Sequence, residues 1–348
     1  MAWRCKPRSH GIPLAVALGL MVLMVCSPSG ASSPAHFSIL LANGKALQIF
    51  HSETDLVVLP ITVTDHKGKA VSGLSEQDFR VYENGRLQTI SSFDHNDVPV
   101  TVGLVLDSSG SMRPRRPEVA LAAEDFLNSS NPQDQVFVIN FNEMVSLGLP
   151  PSMPFTSNVA ELKAAVLKGP FSGLTALYDA TWLALKHLSL GTNPRKALVI
   201  VSDGGDDASH EEFRDVLTLA RHSNAIIYTV GIVSRGENDV NPGLLRKLAK
   251  ATGGTAYFAK TPADLPDICQ QIARDLRQQY TIAYIPSDKL RDGKYRAIRI
   301  SVHAPGKGSL VARTRTGYFA PSGPAETASP LEAGSAQTPE EPGTQQKF

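Results

Sequence analysis

From residue 98 to residue 278 the chain alternates short apolar runs with amphipathic stretches, and this alternation constrains the fold more than any other feature. Residues 100–106 form a near-continuous apolar run, the pattern of a strand buried on both faces of a parallel sheet. Residues 118–127 then carry helical periodicity, followed by a strand-like run at 136–141 and helical stretches at 159–167 and 176–188. The alternation continues with a strand at 197–201, a helix at 211–222, a strand at 225–230, a helix at 244–251 and a strand at 256–258. A last amphipathic helix is predicted over 263–277. Repeated strand–helix units of this kind predict an α/β fold, a doubly wound and mostly parallel sheet with Rossmann-like layering, over 98–278.

The flanks read differently. Residues 36–97 carry short strand patterns, with a β-rich run at 57–64 that ends in the turn composition Asp65, His66, Lys67, Gly68. A run at 79–82 leads into Glu83-Asn84-Gly85, and Asn-Gly between apolar runs is a strong hairpin signal. Residues 87–93 supply the returning strand. Too few strands are present in this N-terminal β unit to close a sandwich alone. After Gln278 three more alternating runs appear, at 280–285, 296–302 and 309–316. The expectation is that the C-terminal strands, within 279–320, complete the N-terminal β unit, so that a β-sandwich-like unit built from both flanks carries the α/β domain as an insertion. A separate C-terminal hairpin region is the alternative. Residues 321–348 are rich in Pro, Ala, Glu, Ser, Thr and Gln, the composition of a disordered tail.

The N-terminus reads as a signal peptide over residues 1–31. Arg4, Lys6 and Arg8 precede an apolar run at 12–26, and Ser29 and Ala31 are placed for cleavage after Ala31. An apolar run of about 15 residues is short for a bilayer span, so membrane association is expected only if the segment stays uncleaved. The expected destination is therefore export, to the periplasm or the extracellular space. Cys5 and Cys26 fall in this segment, which leaves Cys269 alone, in a helical pattern, as a packing thiol. With 34 basic and 33 acidic residues the formal charge is +1, which implies no basic surface and no nucleic-acid partner. Composition is silent on the oligomeric state.

The most polar positions fall at the carboxyl ends of the apolar strands, where open parallel sheets bind ligands. The run at 100–106 leads straight into Asp107-Ser108-Ser109-Gly110-Ser111, and the run at 197–201 into Ser202-Asp203-Gly204. Between them lies Ser172-Gly173-Leu174-Thr175. The spacing lets one tight loop turn Asp107, Ser109 and Ser111 toward a single point, with Gly110 expected to relieve the backbone. Thr175 and Asp203 complete a set of two carboxylates and three hydroxyls. Hard oxygen donors with few carboxylates suit Mg2+ or Mn2+, and leave the ion electrophilic. Asp206 and Asp207 are expected as solvated loop carboxylates, and Asp179 as a capping or supporting residue rather than a ligand.

Asp-Ser-Ser-Gly-Ser-Met at 107–112 resembles the metal-ion-dependent adhesion site of von Willebrand factor type A (vWA) domains, with Thr175 and Asp203 matching its second and third segments. The flanking stretches 78–85, 279–284 and 315–319 resemble those of the acidobacterial-type vWA-related family of exported bacterial proteins. The resemblance implies a divalent cation held by Asp107, Ser109, Ser111, Thr175 and Asp203. It also implies a protein partner that offers an acidic side chain or carboxylate, in adhesion or assembly. Two other readings compete with this non-enzymatic one: a metal-dependent hydrolase, and a structural protein whose metal only steadies the loops. The nine His residues show no paired zinc spacing, and neither a phosphate loop nor a nucleophile elbow occurs.

Overall fold

The computed structural model describes residues 55–169, 171–232 and 241–323. The signal segment, the expected strand patterns before Asp55 and the expected tail beyond Gly323 lie outside these residues. The chain enters through β1 (Val57–Asp65), β2 (Phe79–Glu83), β3 (Arg86–Gln88) and β4 (Ile90–Asp94). β2 and β3 form the hairpin that Asn84-Gly85 announces. Both turn residues have positive φ, 47° and 81°, which matches the right-handed twist of the strands they join.

The α/β domain follows as β5 (Val100–Asp107), α1 (Arg116–Asn128), β6 (Gln135–Phe141), β7 (Val145–Leu147), α2 (Val159–Val166), α3 (Leu177–Leu188), β8 (Arg195–Ser202), α4 (Phe213–His222), β9 (Ala225–Ile232), α5 (Pro242–Thr252), β10 (Ala256–Ala259) and α6 (Leu265–Arg277). The six-stranded sheet has the order β10-β9-β8-β5-β6-β7. All neighbours are parallel except β7, which turns back antiparallel on β6. β5 and β9 are buried at every position, because helices cover both faces of the sheet. α1 packs against α2 and α6, while α4 packs against α3 and α5. The path steps from β5 to β6 in one direction and returns to β8 on the other side. The carboxyl ends of β5 and β8 therefore flank the switch in strand order, where a crevice opens. Cys269 lies buried on α6, and burial pushes its thiol up to about 12.

After α6 the chain forms β11 (Tyr280–Tyr284), β12 (Tyr295–Val302), β13 (Leu310–Arg313) and β14 (Gly317–Phe319). These strands join those before the α/β domain in two four-stranded sheets, β13-β1-β11-β4 and β14-β12-β2-β3. β11 lies antiparallel between β1 and β4, with Leu59 opposite Ile282, and β12 pairs with β2, with Val81 opposite Ile300. The core between the sheets takes Leu59, Ile61, Phe79 and Val81 from one flank and Tyr280, Ile282 and Tyr284 from the other, all at most 1% exposed. Each such burial contributes about 1.5–3 kcal/mol, so each flank depends on the other for its core.

Candidate metal centre

β5 ends at Asp107, and the chain turns at once into a short 3-10 segment, Gly110–Arg115. Asp107 is 1% exposed and lies beneath the crevice with both oxygens engaged. Its Oδ1 accepts the Ser109 N–H at 2.9 Å, and its Oδ2 accepts the Ser202 hydroxyl from the end of β8 at 2.7 Å. Ser109 Oγ and Ser111 Oγ stand 3.1 Å apart, and Ser111 Oγ donates to Asp203 Oδ2 at 2.8 Å. The ends of β5 and β8 are thus laced together through the residues that the sequence singles out.

Thr175 precedes α3 and is nearly buried. Its backbone N–H donates to Asp207 Oδ1 at 2.7 Å, so a carboxylate from the loop after β8 fixes its position. Asp207 is exposed, as expected from sequence, and also holds the Thr175 backbone. Asp206 accepts from Tyr178 N and from Ser209 Oγ, and burial raises its pKa. Asp179 accepts from the backbones of His210 and Glu211 and steadies the approach to α4. Sequence spacing pointed to neither Ser202 nor Asp207 as a supporting group. Their signal was adjacency to Asp203, which does not say which atoms they reach.

The expected role of Gly110 falls elsewhere. Gly110 does not have positive φ; it donates its N–H to the Gly173 carbonyl at 3.2 Å. Gly173 is the residue in the left-handed region, with φ 86°. A Cβ there would meet the Glu143 carboxylate at 1.5 Å, where that group accepts the Leu174 N–H. Only glycine fits this turn, which carries Thr175 to the crevice.

Ser109, Ser111, Thr175 and Asp203 line one cavity of about 450 Å3, together with Asp206, Asp207, Tyr178 and Asn241. Among the described residues no basic side chain lines it. Asp107, just behind this wall, has its pKa pushed up to about 6, first by burial and also by the charge of Asp203, against the hydrogen bonds from Ser109 and Ser202. Among the described residues no group of three or more His, Cys, Asp or Glu gathers as a metal cluster. The donor set here is instead rich in hydroxyls, and all-oxygen donors with two carboxylates fit a hard divalent ion. Ser109, Ser111, Thr175 and Asp203 would face such an ion, and Asp107 would hold the loop from behind.

Residues 101–271 match the family described as the von Willebrand factor type A domain. Among solved structures, the chain is similar to BatB from Bacteroides thetaiotaomicron at 18% identity, covering 51% of this chain and 98% of that one, with a TM-score of 0.41. It is also similar to a von Willebrand factor type A protein from Catenulispora acidiphila, at 14% identity over 78% of this chain and 76% of that one, with a TM-score of 0.47. The vWF domain of the type V pili tip protein Mfa5 from Porphyromonas gingivalis matches at 13% identity over 51% and 95% of the two chains, with a TM-score of 0.42. Nothing among curated proteins matches the chain. The parallel sheet and the match over 101–271 together make these residues a von Willebrand factor type A domain.

Proposed function

We propose that the protein is an exported binding module that takes up Mg2+ or Mn2+ at Ser109, Ser111, Thr175 and Asp203, with Asp107 in support, and binds an acidic group of a protein partner there. One observation carries this reading: three hydroxyls and a carboxylate line a cavity that also holds Asp206 and Asp207 and, among the described residues, has no basic side chain on its wall. Uncompensated carboxylates around a partly desolvated cavity favour a cation. When bound, the ion supplies an open coordination position for the carboxylate of a partner in adhesion or assembly. The chain's own residues do the rest. Asp107 holds the Ser109 backbone, Asp207 holds Thr175, and the Ser111–Asp203 contact brings the two strand ends together. Among the described residues no helix is long and apolar enough to cross a membrane. Export and a periplasmic or extracellular location belong to this proposal, on the strength of the N-terminal segment.

Calorimetric titration with MgCl2 and MnCl2 tests it. One saturable site per chain is expected, with affinity reduced at least tenfold in Asp203→Ala and Asp107→Ala. Unchanged affinity in both variants would remove the assignment. Retention of protein partners with cation, and their loss with chelator, separates adhesion from a purely structural ion.

A further inference from the structure

A cavity of about 620 Å3 lies away from the candidate metal centre. Asn224, on its wall, immediately precedes β9, so the cavity sits at the amino edge of the parallel sheet, between the α/β domain and the sandwich. Four basic side chains line it: Arg221 from α4, Lys289 and Arg291 from the β11–β12 connection, and Arg315 between β13 and β14. The two acids that line it among the described residues, Asp55 and Asp288, are already engaged. Asp55 pairs with Arg291 at 3.1 Å, and Asp288 pairs with Arg296.

Among the described residues no carboxylate pairs with Arg221 or Arg315. Among the described residues Arg315 donates to neutral acceptors, Asn224 Oδ1 at 2.8 Å and the Val58 carbonyl at 3.1 Å. The Arg221 guanidinium lies over the Tyr295 ring at 5.6 Å. Both leave a buried Nε without a hydrogen-bond partner. Burial lowers the pKa of Arg315, and only the Tyr284, Tyr318 and Tyr295 hydroxyls oppose that shift. Both arginines are half-buried, and a partly desolvated guanidinium gains from an anion placed beside it. The same wall exposes large aliphatic side chains: Leu56 at 52%, Ile285 at 41% and Leu290 at 66%.

We propose that this cavity binds a small amphiphilic acid, its carboxylate or phosphate on Arg221 and Arg315 and its apolar body against Leu56, Ile285 and Leu290. The volume is that of a small-molecule site, and the mixture of a few convergent polar groups with apolar wall is what such sites use. The proposal is independent of the cation site, which shares no lining residue with this cavity.

Calorimetry on the full chain in EDTA tests it, with octanoate and octyl phosphate as probes. Acetate, inorganic phosphate and 1-octanol serve as the head-only and tail-only controls. One octyl acid should bind at one per chain and at least tenfold more tightly than every control. Whichever of the two binds more tightly identifies the head group. Arg221→Gln and Arg315→Gln should each weaken it at least tenfold. Arg315 also holds Asn224 and the β1 backbone, so if Arg315→Gln fails to fold, Arg221→Gln decides alone. Absence of saturable binding, equal binding of 1-octanol, or undiminished affinity in the Arg221 variant would overturn the proposal. So would binding that appears only after residues 324–348 are removed, because the chain's own segment would then be the occupant.

Discussion

Asp107 and Asp207 reach the candidate centre by different routes, and each makes a separate prediction. Asp107 is desolvated and faces the charge of Asp203, so its folded-state pKa rises from 3.8 to about 6. A raised folded pKa means that the folded chain holds this proton more tightly than the unfolded one. Its contribution to stability is full below the unfolded value and lost as pH rises through about 6. The shift of roughly two units corresponds to about 3 kcal/mol. In EDTA, urea unfolding of the protein compared with Asp107→Asn should show a stability difference that changes by about that amount between pH 4 and pH 7.5. A pH-independent difference would contradict the burial argument. Asp207 acts through the Thr175 backbone, so Asp207→Ala should weaken Mg2+ binding about tenfold, as removal of an outer supporting group does, with the far-UV circular dichroism unchanged. Asp-x-Ser-x-Ser, Thr175 and Asp203 were legible in the sequence because their order along the strands puts them on one sheet edge. Asp207 was not, because a hydrogen bond across 32 positions leaves no trace in spacing.

Among the elements, the long ones were read to within a few residues, since helical or apolar periodicity runs through each of them. β7 was not read at all: Val145–Leu147 is three residues long, too short for alternation to register, and it exists because the turn after β6 folds it back onto that strand. The sandwich holds a feature of the same illegible kind. Glu83 on β2 is 2% exposed and accepts the hydroxyls of Tyr284 on β11, at 2.7 Å, and Tyr318 on β14, at 3.0 Å. β11 belongs to the opposite sheet, so this buried carboxylate ties the two sheets through the core. Burial and the neighbouring Glu83 together raise the pKa of both tyrosines, which keeps them as donors. Tyr284→Phe should cost about 1.5–3 kcal/mol, since it withdraws a donor from a desolvated charge. The double change with Tyr318→Phe should cost more than the sum, because Glu83 then loses both hydroxyl donors. Denaturant unfolding of the three variants reads this directly, and losses below about 0.5 kcal/mol in each would contradict the tie through Glu83.

At the scale of the whole molecule, the α/β domain is held at both of its ends by the sandwich strands. Arg195 at the start of β8 donates to the carbonyls of Asn96 and Gln279 and to Thr281 Oγ1, so one guanidinium clasps the entry and the exit of the domain. Arg277 at the end of α6 pairs with Asp97 and Asp134, and Asp275 on the same helix pairs with Arg313 on β13 at 3.7 Å. The sequence alone made both flanks readable as strands, but the choice of partners lies in the register, which no single run contains. A chain ending at Gln278 therefore has a definite fate. β1 loses both of its neighbours, β11 and β13, and β2 keeps only β3. Val57, Leu59, Ile61, Val63, Phe79 and Val81 lose the facing half of their core. At about 1.5–3 kcal/mol for each fully buried large side chain, losing half of that burial is comparable to the whole stability of an ordinary domain, about 5–15 kcal/mol. Hydrogen exchange should find the amides of β1 and β2 unprotected in the truncated chain. β5 and β8 lie in a sheet whose helices all precede residue 279, and their amides should stay protected. Protection of β1 without the C-terminal strands would mean that the N-terminal flank folds alone, and the α/β domain would then be a middle domain rather than an insertion.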